Sequence, residues 1–286
     1  MASHQIHALA YGASILGGIR NSRYSSGIET ILLGPPGHQY NDFQTIGAQT
    51  PRIEFSTVRL SVALGIIGLT GLQINATPLD FYTVNHSAGA GYAATGQKVS
   101  VLKGFAYPTR ITFPRNAPCT VDYMVIAGAN SGSAPYSIAT GQTVPTTATI
   151  DEAYVMGDVK LAASDIGPCL DVVLDMGFDE RIVMGDRWPD LLGYRLIQPR
   201  VTIRTLNATA LSTVGADGSG AQVSVVAEKC SEAAGRAGAG DLTFVTNQEF
   251  GFCEELSGAV EDDEGAITTL VFEATYNGTN APVSYS

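Results

Sequence analysis

Gly89-Ala90-Gly91-Tyr92-Ala93-Ala94 matches G-x-G-x-x-A, the loop that cradles a pyrophosphate in dinucleotide-binding folds. That chemistry needs a helix directly after the loop, with its N-terminal N–H groups facing the phosphates. Here Gln97-Lys98-Val99-Ser100-Val101 follows, and it alternates like a strand. The acidic residue expected about 20 positions further on is missing too, since Asp122 lies about 30 on. The match reads as a loop between strands, and no cofactor is expected. Glu261-Asp262-Asp263-Glu264 gathers four carboxylates. Calcium loops alternate their ligands around a glycine turn, whereas consecutive carboxylates point different ways. A solvated acidic loop is the expectation, with adventitious cation binding as the alternative.

Nucleophilic chemistry finds little support. His4, His7, His38 and His86 all precede residue 90, so Cys230 has no histidine in its half of the chain. Zinc-protease, hydrolase-elbow and P-loop motifs are all missing. The expectation is no catalytic, cofactor-binding or metal residues, and no enzyme. Cys119, Cys169, Cys230 and Cys253 form no C-x-x-C pair and read as reduced thiols. No signal-peptide pattern opens the sequence, so the N-x-[ST] triplets at Asn75, Asn85, Asn207 and Asn277 read as coincidences of a Thr-rich composition. Trp188, the lone tryptophan, is either an interface anchor or a half-buried loop aromatic.

The elements that hold these residues are β-like. The chain has 286 residues, 45 % hydrophobic and 15 % charged, with 32 Gly and 13 Pro. That is too apolar for disorder and too thinly charged for a coiled coil. The longest apolar run, Leu60 to Leu72, has 13 residues, short of the ~20 that span a bilayer, so no membrane partner is expected. Net charge is −11, unevenly spread. Residues 1–143 carry eight Lys/Arg and five Asp/Glu, and residues 144–286 carry eight and twenty-two. Tight nucleic-acid binding needs a basic face, which this balance opposes.

Short segments repeat in order. Gln49-Thr50-Pro51-Arg52-Ile53-Glu54-Phe55-Ser56-Thr57 resembles Ile197-Gln198-Pro199-Arg200-Val201-Thr202-Ile203-Arg204-Thr205 at an offset of 148. Ser133-Ala134-Pro135-Tyr136-Ser137 resembles Asn280-Ala281-Pro282-Val283-Ser284 at 147. Ala10-Tyr11 and Ala153-Tyr154 match at 143, each ahead of an apolar run, Ile28 to Leu33 and Leu170 to Leu174. The pattern predicts an internal duplication, with copies at 1–143 and 144–286 and a Thr/Pro/Gly-rich linker over Thr140 to Thr149. Period-two alternation predicts strands at Arg52–Ser56 and Arg200–Arg204. Further strands are expected at Leu79–Val84, Gln97–Leu102, Thr109–Phe113, Val121–Ile126, Gln222–Ala227, Asp241–Thr246 and Ile267–Ala274. A short helix is expected within Val58–Ile67, with Thr205–Val214 as its counterpart. Turn signals stand at Gly34-Pro35-Pro36-Gly37, Asp217-Gly218-Ser219-Gly220 and Asn277-Gly278. The fold class is mainly β: two tandem sandwich or barrel domains of like topology, each with a short helix.

The order of these features resembles a tail-tube domain of tailed bacteriophages. The segments that carry the resemblance are Pro51 to Thr57, Val58 to Ile67, Pro199 to Thr205 and the two Ala-Pro endings. The duplicated layout is similar to tube or hub proteins in which three chains mimic a hexameric ring. That resemblance implies a virion structural protein made in the host cytoplasm. Its partners would be itself, as a homotrimer with pseudo-sixfold symmetry, and other virion proteins. DNA would pass through without tight binding. The rival expectation is a capsid decoration or minor capsid protein.

Overall fold

A computed structural model of the chain describes residues 3–33, 43–86, 95–146, 152–162, 164–206, 222–231, 235–236, 240–258, 266–276, 279 and 281–286. The protein is mainly β, with several sheets and one helix among the described residues. The first half contains Ser3–Tyr11 (β1), Ser14–Leu16 (β2), Ile19–Ser25 (β3), Ile28–Leu33 (β4), Phe43–Gln49 (β5) and Arg52–Thr57 (β6). After the helix Leu60–Ile67 (α1) come Leu72–Ile74 (β7), Leu79–His86 (β8), Thr95–Val101 (β9), Gly104–Pro114 (β10), Thr120–Ala127 (β11) and Tyr136–Thr143 (β12). The second half opens with Glu152–Leu161 (β13), Ser164–Asp165 (β14), Cys169–Asp175 (β15), Phe178–Met184 (β16), Pro189–Ile197 (β17) and Arg200–Thr205 (β18). It continues with Val223–Ser231 (β19), Gly235–Arg236 (β20), Leu242–Thr246 (β21), Gln248–Gly258 (β22), Ala266–Ala274 (β23) and Val283–Tyr285 (β24).

The strands expected from period-two alternation form where their apolar set meets the core. Ile53 and Phe55 of β6 point inward, as do Val201 and Ile203 of β18. The helix begins at Leu60 rather than Val58. Leu60, Ala63, Leu64 and Ile67 bury one face at the i, i+3, i+4, i+7 spacing of an amphipathic helix. Gly68 ends it at φ 75°, donating its N–H to the Leu64 carbonyl at 2.8 Å.

One pairing scheme runs through residues 3–143 and again through residues 152–285. In the first half β2, β1, β8, β9 and β12 form a five-stranded sheet in that order. Strands β3, β6, β11 and β10 run side by side in a nine-stranded sheet, and β4 and β5 stand apart as a hairpin. In the second half β14, β13, β19, β21 and β24 share the order of the first set. Strands β15, β18, β23 and β22 share the order of the second, and β16–β17 is again a separate hairpin. Irregularities recur as well. The ladder slips between Pro108 and Arg110 in β10, and between Cys253 and Glu255 in β22. Pro51 accepts from the Ala127 N–H at 3.0 Å, and Pro199 from the Ala274 N–H at 2.8 Å. Pro135 accepts from Leu102 and Pro282 from Asn247, at 2.7 and 2.9 Å.

Two expectations need correction. Ala10-Tyr11 and Ala153-Tyr154 are not counterparts: Tyr11 closes β1 opposite Ser14, whereas Tyr154 lies near the start of β13. Leu161, which faces Ser164, holds the place of Tyr11. The runs that follow are likewise unmatched, since β4 lies in a hairpin and β15 in the large sheet. The expected linker starts too early, because Thr140 to Thr143 belong to β12, and residues 147–149 lie outside the described residues. The three turn signals, and the expected second helix beyond Leu206, also lie outside them.

A single apolar cluster joins the sheets of both halves. Phe55 of β6 stacks on Tyr123 of β11 at 5.2 Å and meets Phe81 of β8 edge-on at 5.8 Å. Phe113 of β10 meets Phe244 of β21 at 5.2 Å, so that contact crosses from one half to the other. Buried phenylalanines each contribute roughly 1.5–3 kcal/mol by leaving water.

Candidate assembly interface

The nine-stranded sheet is continuous because β10 of the first half pairs with β15 of the second. The pairing is antiparallel, from Arg110 opposite Asp175 to Pro114 opposite Asp171. Backbone bonds flank it: Met176 donates to Thr109 and Arg115 to Leu170, both at 2.9 Å. Ile111, Phe113, Val172 and Leu174 are buried along this seam and supply its adhesion. Beyond β10 the chain enters the core of the second half, where the Cys119 N–H donates to the Tyr154 carbonyl at 2.7 Å. On the outer face Arg110 Nε meets Asp175 Oδ1 at 2.6 Å, with side chains 53 % and 38 % exposed. At that exposure an ion pair is worth at most about 1 kcal/mol and acts mainly on register. Asp122 lies beside the pair, and burial pushes its carboxyl pKa up, with Arg110 opposing and Asp175 adding to the rise.

A second contact joins the halves. The hairpin β16–β17 lies across β10 and β11. Phe105, Tyr107, Ile126 and Leu192 form a buried cluster there, joined by Phe178. The Phe178 and Tyr107 rings lie 4.7 Å apart. Glu180 accepts from both the Tyr107 hydroxyl and Arg52, whose guanidinium spans it at 2.9 and 3.4 Å. Burial, then the bond to Glu180, raises the pKa of Tyr107 and keeps it a neutral donor. Trp188, at the hairpin tip, is 7 % exposed and packs edge-on against Tyr136 of β12 at 5.7 Å. Arg187 covers its ring at 4.9 Å and donates through Nε to Gln49 at 2.9 Å. Trp188 is therefore buried in the loop before β17, where it packs against Tyr136 of the first half.

The other sequence candidates scatter. His4 and His7 are on β1 and His86 ends β8, whereas His38, Gly89–Ala94 and Glu261–Glu264 lie outside the described residues. Thr95–Val101 is the strand expected after the glycine loop. Cys119 and Cys169 are buried free thiols with pKa pushed up by burial, to about 12 and about 11. Cys230 is partly buried, and Cys253 lies on β22. Among the described residues no three His, Cys, Asp or Glu side chains are placed to hold a metal ion. No helix among them is long and apolar enough to cross a membrane.

The residues that matter at the seam escaped the sequence reading. Arg110, Asp175 and Glu180 carry no motif. The signal shared by Arg110 and Asp175 is that β10 and β15 each hold charge of one sign, whereas Glu180 lies on β16 among charges of both signs. No family model matches the chain, and no curated protein matches its sequence.

Proposed function

We propose that the chain is a virion structural subunit, a tail-tube or tail-hub component, with two halves that are diverged copies of one β domain, residues 1–143 and 144–286. Each copy is a sandwich of two facing sheets. Three chains close a ring with pseudo-sixfold symmetry, through which DNA passes. The observation that carries this reading is the β10–β15 seam. It joins two sets of four strands of identical internal order, side by side, within one continuous sheet. A head-to-tail contact of that kind repeats until a rotation closes it, and otherwise grows into a filament. The role is mechanical, with no catalytic residue and no cofactor. The excess of carboxylates in residues 144–286 disfavours phosphate contacts along the channel, by repulsion that salt weakens.

Solution mass together with negative-stain imaging tests the reading. Rings of three chains, single or stacked, are expected. A monomer at high concentration overturns it, and so does a ring of six chains, which would hold twelve domains. Isolated trimers that bind only to a capsid shell would select the capsid-decoration reading.

A further inference from the structure

The nine-stranded sheet ends, among the described residues, in β3 on one side and β22 on the other. These are the counterparts of the two strands that meet at the internal seam. β3 stands in the first half where β15 stands in the second, and β22 where β10 stands. The molecule thus carries one finished seam and the two separate edges of another.

The charges on these four strands are sorted. β10 has Arg110 and no acid, and β15 has Asp171 and Asp175 and no base. At the free edges the signs are exchanged: β3 has Arg20 and Arg23 and no acid, whereas β22 has Glu249, Glu254 and Glu255 and no base. β10 on β3 would set Arg against Arg, and β22 on β15 would set Glu against Asp. Among pairings of the seam type, a β10 or β22 edge on a β15 or β3 edge, only β10 with β15 and β22 with β3 oppose unlike charges.

The ladders fix the register. Arg110 faces Asp122 as Glu255 faces Thr269, and Asp175 faces Arg200 as Ser25 faces Arg52. Transferring the Arg110–Asp175 pairing puts Glu255 opposite Ser25, Leu256 opposite Tyr24 and Ser257 opposite Arg23. Glu255 and Arg23 then lie on a diagonal that long side chains span.

Beside β3 the surface is open and apolar. A groove of ≈ 370 Å³ runs between Tyr24, Ile53, Phe81, Val99 and Ile138, with Tyr24 38 % and Ile138 54 % exposed. In the second half Phe244 faces Tyr285 as Val99 faces Ile138. There Phe113 of β10 covers Phe244, and both rings are 1 % exposed. The groove is the counterpart of the place that Phe113 takes across the internal seam, and in the transferred register Gly258 stands at the Phe113 position.

We propose that β22 of a second copy of this chain adds alongside β3 in that register. The exchanged charges force first and second halves to alternate around the assembly. The inference rests on the ring reading above and names its contact.

Three variants test it by solution mass: Arg20→Glu with Arg23→Glu, Glu254→Arg with Glu255→Arg, and all four together. The first two should weaken self-association about tenfold or more. The fourfold variant should assemble with itself yet stay out of wild-type assemblies, and its recovery shows that the lost association was not misfolding. Independently, Ser25→Cys with Glu255→Cys, in a background with Cys230 and Cys253 replaced by serine, should cross-link chains on oxidation. If wild type assembles but the fourfold variant does not recover its own assembly, or mixes freely with wild type, or the cysteines do not cross-link, the contact is wrong and the ring reading stands. A monomeric wild type sinks both.

Discussion

Asp122 is half-buried beside an arginine already committed to Asp175, so its ionised form is poorly served. A carboxyl whose pKa is raised in the folded protein binds its proton more readily there than in the unfolded chain. Its charged form therefore lowers stability at neutral pH, and that loss fades as pH falls through the folded-state pKa. Asp122→Asn should melt higher than wild type at pH 7, with the gap closing in acid. Thermal melts across that range check both the sign and the closure. Cys119 and Cys169 show the opposite use of burial. Each thiol is held neutral in the core, so neither is suited to nucleophilic work.

At the scale of elements, the two hairpins enter and leave the sheet in the same way. Gly27 ahead of β4 and Gly177 ahead of β16 have φ +55° and +60°. A Cβ on Gly27 would strike the carbonyl of Thr50, and one on Gly177 the carbonyl of Gln198. Each of those partner residues donates its N–H back to the glycine carbonyl at 3.1 Å. Gly177→Ala should cost upwards of about 2 kcal/mol, from left-handed strain plus a backbone clash, and loosen the hairpin from the first half. A lower denaturation midpoint, with a rise in Trp188 exposure by fluorescence quenching, is the expected result. This element also marks where the sequence stopped being readable. Strands β6, β18 and β11 were legible because each alternates inward apolar residues with more exposed polar ones. The β16–β17 hairpin was not, because its apolar residues Phe178 and Leu192 pack on Phe105 and Tyr107 of the other half. Pro51 and Pro199 both take the same ladder bond, from Ala127 and Ala274. The Ala-Tyr dipeptides misled because two residues of identity carry no register.

Across the whole molecule, basic residues of 1–143 meet acidic residues of 144–286 at both internal contacts, Arg110 with Asp175 and Arg52 with Glu180. These cations are spent on the protein itself. Duplex DNA titrated at low salt should therefore show no sub-micromolar binding, and a steep loss of affinity with added salt would reveal a basic track that contradicts this. The internal seam has one more consequence. Nothing in its chemistry distinguishes a β15 tethered by residues 144–151 from the β15 of another molecule. Only proximity does, since a short tether holds its partner at an effective concentration on the order of millimolar. Chains that refold while crowded can therefore trade halves, with β10 of each taking the other's β15. The exchanged pair would have native contacts everywhere and the wrong covalent thread, so dilution during refolding decides which connectivity is trapped.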